Sequence, residues 1–128
     1  MRELLAETDI GSAKASVVLD VIQRLKDDLM DAKSYTIHTG VSENPHRAQI
    51  AKMYLAYQEA LRNRGALDFG DLLMEANTLL RENAQVRARY HERFSYIFVD
   101  EYQDVNRAQY ALTKLLVAEH GSLTCVAD

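Results

Sequence analysis

Little in this sequence could cross-link the chain, break its helices or anchor it in a bilayer. One cysteine, Cys125, in 128 residues excludes an intrachain disulfide framework and any zinc site built on cysteine pairs. Lying in the run Leu123-Thr124-Cys125-Val126-Ala127, it is expected to be a buried, reduced thiol. A single proline, Pro45, and five glycines leave long stretches without a helix breaker. Tryptophan is absent, and seven of the ten aromatics are tyrosines. No apolar run approaches the roughly 20 residues of a membrane-spanning helix, and no basic-then-apolar leader opens the chain, so no membrane and a cytoplasmic location are expected. A net charge of −4 excludes the all-over basic surface of a non-specific nucleic-acid binder. No Gly-x-x-x-x-Gly-Lys-[Ser/Thr] phosphate loop occurs within these residues.

What is present is ordinary globular material, 48% hydrophobic and 27% charged. Arg62, Arg64, Arg81, Arg87, Arg89 and Arg93 concentrate positive charge in mid-sequence, either as a local basic strip or as solvated helical faces. Residues 2–8 suit a short helix. After Ser12 as N-cap, Val18, Val21, Ile22, Leu25 and Leu29 recur at helical spacing to about Asp31, with Lys26, Asp27 and Asp28 outward. Residues 34–43 lack periodicity and carry Gly40, which suggests a loop.

Asn44-Pro45 is a strong helix start, because Asn caps well and proline at the first helical position forgoes an N–H that has no partner there. Ile50, Met53, Tyr54, Tyr57 and Leu61 follow as an apolar stripe ending near Gly65. Tyr54 and Tyr57 could stack on bases, but their helical spacing favours core packing. Asp68 as N-cap, Asp71 three residues on, and a Leu67 to Leu72 staple announce a further helix burying Phe69, Leu72, Leu73, Ala76 and Leu80. A short helix over residues 84–91 turns Val86 and Tyr90 inward. Another runs from an Asp104 or Asn106 cap through Ala108, Ala111, Leu112, Leu115 and Leu116 to a stop at Gly121.

Between these last two helices lies Tyr96-Ile97-Phe98-Val99-Asp100-Glu101-Tyr102-Gln103-Asp104, an uncharged run that switches abruptly to carboxylates. Such a run suits a strand buried on both faces, and residues 123–127 read as a second buried strand, giving a βαβ unit. Ligands bind at the carboxyl edge of parallel sheets, where an Asp-Glu pair can serve Mg²⁺ and a water in a nucleotide site. The bland alternative is a solvated strand end whose acids cap the next helix. A calcium loop is excluded by the missing glycine and distal Glu, and a zinc protease by the lack of a second histidine beside His91-Glu92.

Leu67-Asp68-Phe69-Gly70-Asp71-Leu72-Leu73, then Val86 and Tyr90 before Arg93-Phe94, then Tyr96 through Asp104 with Val105-Asn106-Arg107-Ala108-Gln109-Tyr110, resemble the corresponding stretch of UvrD/Rep/PcrA-type superfamily 1 DNA helicases. The Asp-Glu-x-Gln-Asp form followed by Asn-x-x-Gln-Tyr is much narrower than a generic nucleotide-site motif. Similarity is strong over residues 67–128 and weaker before them. It implies a mainly α chain with a small parallel β element: a helical insertion subdomain (1–66) and part of a RecA-like, P-loop NTPase motor domain (67–128). It implies ATP and Mg²⁺ as cofactors of a larger 3′ to 5′ helicase. Asp100 would hold Mg²⁺ through water, Glu101 would orient or deprotonate the attacking water, and Gln103 and Asp104 would link the γ-phosphate to the domain interface. Val126-Ala127-Asp128 is similar to the start of the next motif, where glycine usually replaces Ala127, and Gly70 stands where many members carry an acid. Single-stranded and duplex DNA, the rest of the helicase chain and repair or recombination proteins are the implied partners. Lacking the phosphate loop, the chain alone is expected not to hydrolyse ATP. The competing expectation is a non-catalytic helical DNA- or protein-binding module of a helicase–nuclease complex.

Overall fold

A computed structural model describes residues 12–40 and 44–128; the helix expected over residues 2–8 lies outside them. The chain is mostly helical with one small parallel sheet: α1 (Ser12–Asp27), α2 (Ala32–Gly40), α3 (Pro45–Asn63), α4 (Phe69–Glu82), α5 (Ala84–Arg93), β1 (Tyr96–Val99), a 3-10 turn (Tyr102–Asp104), α6 (Arg107–Leu116) and β2 (Ser122–Cys125). It divides into two compact units, one ending at Gly70 and the other spanning Asp71–Asp128. α4 therefore begins in the first unit and continues into the second.

In the first unit Val18, Ile22, Ala32, Tyr35, Ala51, Tyr54, Tyr57 and Leu61 form the core, so the two tyrosines pack and do not stack on bases. Helix α1 starts at Ser12 itself and ends at Asp27, short of the expected Asp31. The stop is a Schellman closure on a non-glycine residue. Leu29 takes φ 59°, Met30 N–H reaches Leu25 C=O at 2.8 Å, and Leu29 N–H reaches Lys26 C=O at 2.9 Å. The left-handed backbone costs about 1–2 kcal/mol for a residue with a Cβ. The same closure at the end of α3 uses Gly65 at φ 60°, where no such cost arises.

The loop expected over residues 34–43 is a helix as far as Gly40. Its start signal is Asp31, whose carboxylate accepts from Ser34 N–H at 2.8 Å and from Ser34 Oγ at 2.9 Å. Periodicity was a poor guide because α2 buries only Ala32, Tyr35 and Thr39. Burial pushes the Asp31 carboxyl up, but the two Ser34 hydrogen bonds and nearby Lys33 outweigh it and hold the group below its ordinary 3.8. A depressed folded value stabilises above the unfolded value, and that contribution is lost as pH falls through the folded one. Titrating the chain by carboxyl NMR should therefore give Asp31 a midpoint under 3.8 and show the α2 amides fraying only below it.

α3 starts as expected, with Asn44 Oδ1 accepting from His46 N–H at 3.0 Å. Lys26, expected on the outer face of α1, is instead fully buried. Its stem fills the place where Gly70 lacks a side chain: a Cβ at Gly70 would lie 2.6 Å from Lys26 Cδ and 2.9 Å from Lys26 Cβ. Alanine in a helix ordinarily stabilises relative to glycine by up to about 1 kcal/mol. At Gly70 the sign reverses, because the clash includes the inflexible root of the lysine. Gly70→Ala should lower stability by about 1–3 kcal/mol, read as a drop in urea midpoint with unchanged slope.

Along α4, Asp71, Asn77 and Leu80 are buried, while Phe69 and Leu72 are exposed, contrary to the expected apolar face. Leu67 is exposed as well, so no staple shields it. Asn77 Nδ2 donates to Leu73 C=O at 2.9 Å and to Ala108 C=O at 3.0 Å, joining α4 to α6 through a fully buried alanine. His91 Nε2 lies 2.8 Å from Leu115 C=O and closes the end of α6. Helix α6 stops at Leu116, five residues before Gly121, which instead closes a tight turn onto Ala118 C=O. Tyr90, expected inward, is exposed and stacks on Phe94 at 5.9 Å.

β1 and β2 pair in parallel, with Tyr96 opposite Ser122 and Val99 opposite Cys125. Neither strand is buried on both faces. Tyr96 and Phe98 are exposed, Ile97 and Val99 are half-buried, and β2, Cys125 included, is exposed throughout. The physical reason is cover: parallel strands are buried only where helices pack on both faces, and these strands are left exposed on theirs.

Candidate functional site

The acids expected to carry chemistry sit just past the carboxyl end of β1, and the sheet ladder explains how they are presented. Val126 N–H donates to Val99 C=O at 2.8 Å, and Val126 C=O accepts from Tyr102 N–H at 2.9 Å. In a regular parallel ladder that second bond would come from Glu101. One extra residue is thus inserted, a bulge, and Glu101 occupies it with left-handed φ 50° and ψ 45°. Its N–H, freed from the ladder, donates to Asp100 Oδ1 at 3.0 Å. Bulges re-aim side chains, and here the departure from pairing exposes both carboxylates at the sheet's carboxyl edge.

The backbone then tightens into the 3-10 turn, closed by Asp104 N–H to Glu101 C=O at 2.9 Å. Within it Gln103 Nε2 donates to Glu101 Oε2 at 2.5 Å, while Gln103 Oε1 accepts from the Asp128 backbone N–H at 3.3 Å. Asn106, not Asp104, caps α6, through a full capping box: Gln109 N–H to Asn106 Oδ1 at 2.9 Å and Asn106 N–H to Gln109 Oε1 at 3.0 Å. Asp100, Glu101, Gln103 and Asp104 are therefore held in one exposed loop between two fixed elements. Two adjacent carboxylates there can accept protons and attract a cation. Among the described residues, no group of three or more His, Cys, Asp or Glu side chains is arranged to hold a metal ion.

The arginines disperse into separate jobs. Arg87 Nη1 donates to Leu80 C=O at 2.7 Å and Arg81 C=O at 3.1 Å, closing the end of α4. Arg81 pairs with exposed Glu82, and Arg93 lies over the Phe94 ring. Tyr57 is in the core as its spacing predicts, but the burial of Lys26 and Asp68 beside it was not foreseen. A signal existed, since Lys26 lies four residues after Ile22 and eight after Val18, on the apolar stripe itself. The bulge left no comparable signal, because its hydrogen bonds depend on a strand that begins 21 residues after Glu101.

Comparison with known proteins agrees with this architecture. The whole chain, residues 1–128, matches the family described as UvrD/REP helicase N-terminal domain. It is 35% identical to ATP-dependent DNA helicase PcrA of Leuconostoc citreum over 94% of this chain and 16% of that protein. Identity to ATP-dependent DNA helicase UvrD1 of Mycobacterium leprae is 37%, over 89% of this chain and 14% of that protein. A Staphylococcus aureus PcrA is 35% identical over all of this chain and 17% of its own length. The chain thus spans about a sixth of the relatives it matches, and no helix among the described residues is long and apolar enough to cross a membrane. With its Asp-Glu-x-Gln-Asp loop at a parallel strand end and a match along its full length, the chain belongs to the UvrD/REP helicase N-terminal domain family.

Proposed function

We propose that this chain supplies the metal-contacting and water-activating part of the ATP site of a 3′ to 5′ DNA helicase, within a RecA-like P-loop NTPase domain. The observation that carries the proposal is the bulge at Glu101, which takes this residue out of the ladder and leaves its carboxylate beside that of Asp100 at a parallel strand's carboxyl edge. Relatives whose names describe ATP-dependent DNA helicases support it.

The donor set fits Mg²⁺ and no more demanding ion. Asp100 offers a hard oxygen donor in an exposed loop, and Mg²⁺ retains most of its waters and binds through one or two carboxylates plus substrate phosphates. Asp100 would hold it through water; when bound, the ion neutralises phosphate charge. Glu101 accepts a proton from the attacking water as its oxygen bonds to the γ-phosphorus and the bond to the bridging oxygen breaks. Asp104 and Gln103 order the loop between that chemistry and the domain interface. Single-stranded and duplex DNA, the remaining helicase chain and repair or recombination proteins are the proposed partners, in the cytoplasm. Residues 1–66 form the helical insertion and 67–128 the motor portion. A purely non-catalytic DNA-binding role draws less support, since Tyr54 and Tyr57 are only 1% and 2% exposed.

The test is phosphate release from ATP by the full-length protein and by this chain alone, with and without single-stranded DNA. Turnover stimulated by DNA in the former and none in the latter is expected. A full-length protein indifferent to DNA would overturn the proposal.

A further inference from the structure

We infer that Gln103 is a positioning residue that holds the Glu101 carboxylate in its working orientation and ties it to the backbone at the end of β2. The inference rests on Glu101 being the water-activating base. Its basis is the pair of bonds made by one side-chain amide: Nε2 to Glu101 Oε2 and Oε1 to Asp128 N–H. The amide can sit only one way round. A backbone N–H requires an oxygen opposite it, and a carboxylate requires a donor, so chemistry fixes both ends.

The need for such a tether follows from the bulge. Glu101 has left the ladder, so its backbone is held by its own N–H to Asp100 Oδ1 and by Asp104 N–H to its C=O, while its side chain points from an exposed loop. A glutamate side chain there has several rotamers to lose, and a general base misplaced by about 1 Å can lose on the order of 10²-fold in rate. Gln103 removes that freedom with a charge-assisted bond. Because the same amide accepts from Asp128, a shift of the segment after β2 moves the acceptor end and with it the grip on Glu101. The strand-end segment is thereby coupled to the base without touching it.

Three variants of the full-length protein test this. Gln103→Ala should lower DNA-stimulated kcat by about 10- to 100-fold with nucleotide affinity unchanged. Gln103→Glu keeps an acceptor for Asp128 N–H but sets a second carboxylate against Glu101. It should lower kcat at least as far as Gln103→Ala with nucleotide affinity unchanged, because a carboxylate cannot donate to Glu101 and repels it. Adding Gln103→Ala to Glu101→Gln should cost little further, since both act on one proton transfer. Wild-type turnover in Gln103→Glu beside a defective Gln103→Ala would make the residue a structural brace and overturn the inference, as would additive losses in the double variant. Full turnover in Glu101→Gln alone would instead remove the underlying role of Glu101.

Discussion

Glu101→Gln in the full-length protein should bind ATP normally and lose about 10²–10⁴-fold of its DNA-stimulated hydrolysis. The amide matches the carboxylate in shape but cannot take a proton at neutral pH. The local structure should survive the change, because the bulge is held by backbone bonds: Tyr102 N–H to Val126 C=O, Val126 N–H to Val99 C=O, and Asp104 N–H to Glu101 C=O. Gln103 Nε2 can still donate to the remaining carbonyl oxygen of the new side chain. Loss of rate without loss of affinity marks an interaction needed in the transition state and not in the ground state. Single-turnover phosphate release beside a fluorescent-nucleotide titration separates the two. Unchanged release would exclude Glu101 as the base, and weakened binding with an intact chemical step would make it a ground-state contact.

The elements with strong local signals were legible in the sequence, and those set by distant partners were not. Asn44-Pro45 fixes the start of α3 by its own hydrogen bond and ring, and Gly65 ends it by a backbone conformation open to glycine. The β1 boundary at Val99 follows from an abrupt change of polarity. By contrast, Leu29 ends α1 in a left-handed conformation that residue type does not announce. Nothing near Gly70 announces its role, because the reason for it, the stem of Lys26, lies 44 residues earlier. At the site, the four loop residues could be chosen from sequence, but the amide bridge from Glu101 through Gln103 to Asp128 joins two strand ends and exists only once the strands pair. Burial of the strands was overestimated because an uncharged strand signals what it can pack against, not what is present to cover it.

The largest stability effect should come from Lys26→Met. Lys26 is fully buried; its ammonium lies 2.7 Å from Asp68 Oδ2, the oxygen to which Tyr57 OH also donates at 2.9 Å, and 5.2 Å from the Tyr57 ring centre. Methionine keeps most of the stem that packs on Gly70, so little volume is lost. What changes is the charge balance: Asp68, 8% exposed, keeps its carboxylate in a site without the ammonium. Stranding one partner of a buried pair costs about 3–5 kcal/mol, whereas removing both charges is often neutral. Lys26→Met with Asp68→Asn should therefore recover most of the loss, because asparagine can still accept from Tyr57 OH and carries no charge. For comparison, Arg81 and Glu82 are 61% and 67% exposed and 3.4 Å apart, and breaking that pair should cost under about 1 kcal/mol. Native-state hydrogen exchange at the α1 and α3 amides reads the opening free energy of this unit directly. A loss below about 1 kcal/mol in Lys26→Met would mean that water reaches Asp68 once the ammonium is gone. A double variant as unstable as the single one would shift the cost from stranded charge to the lost contacts of Lys26 itself.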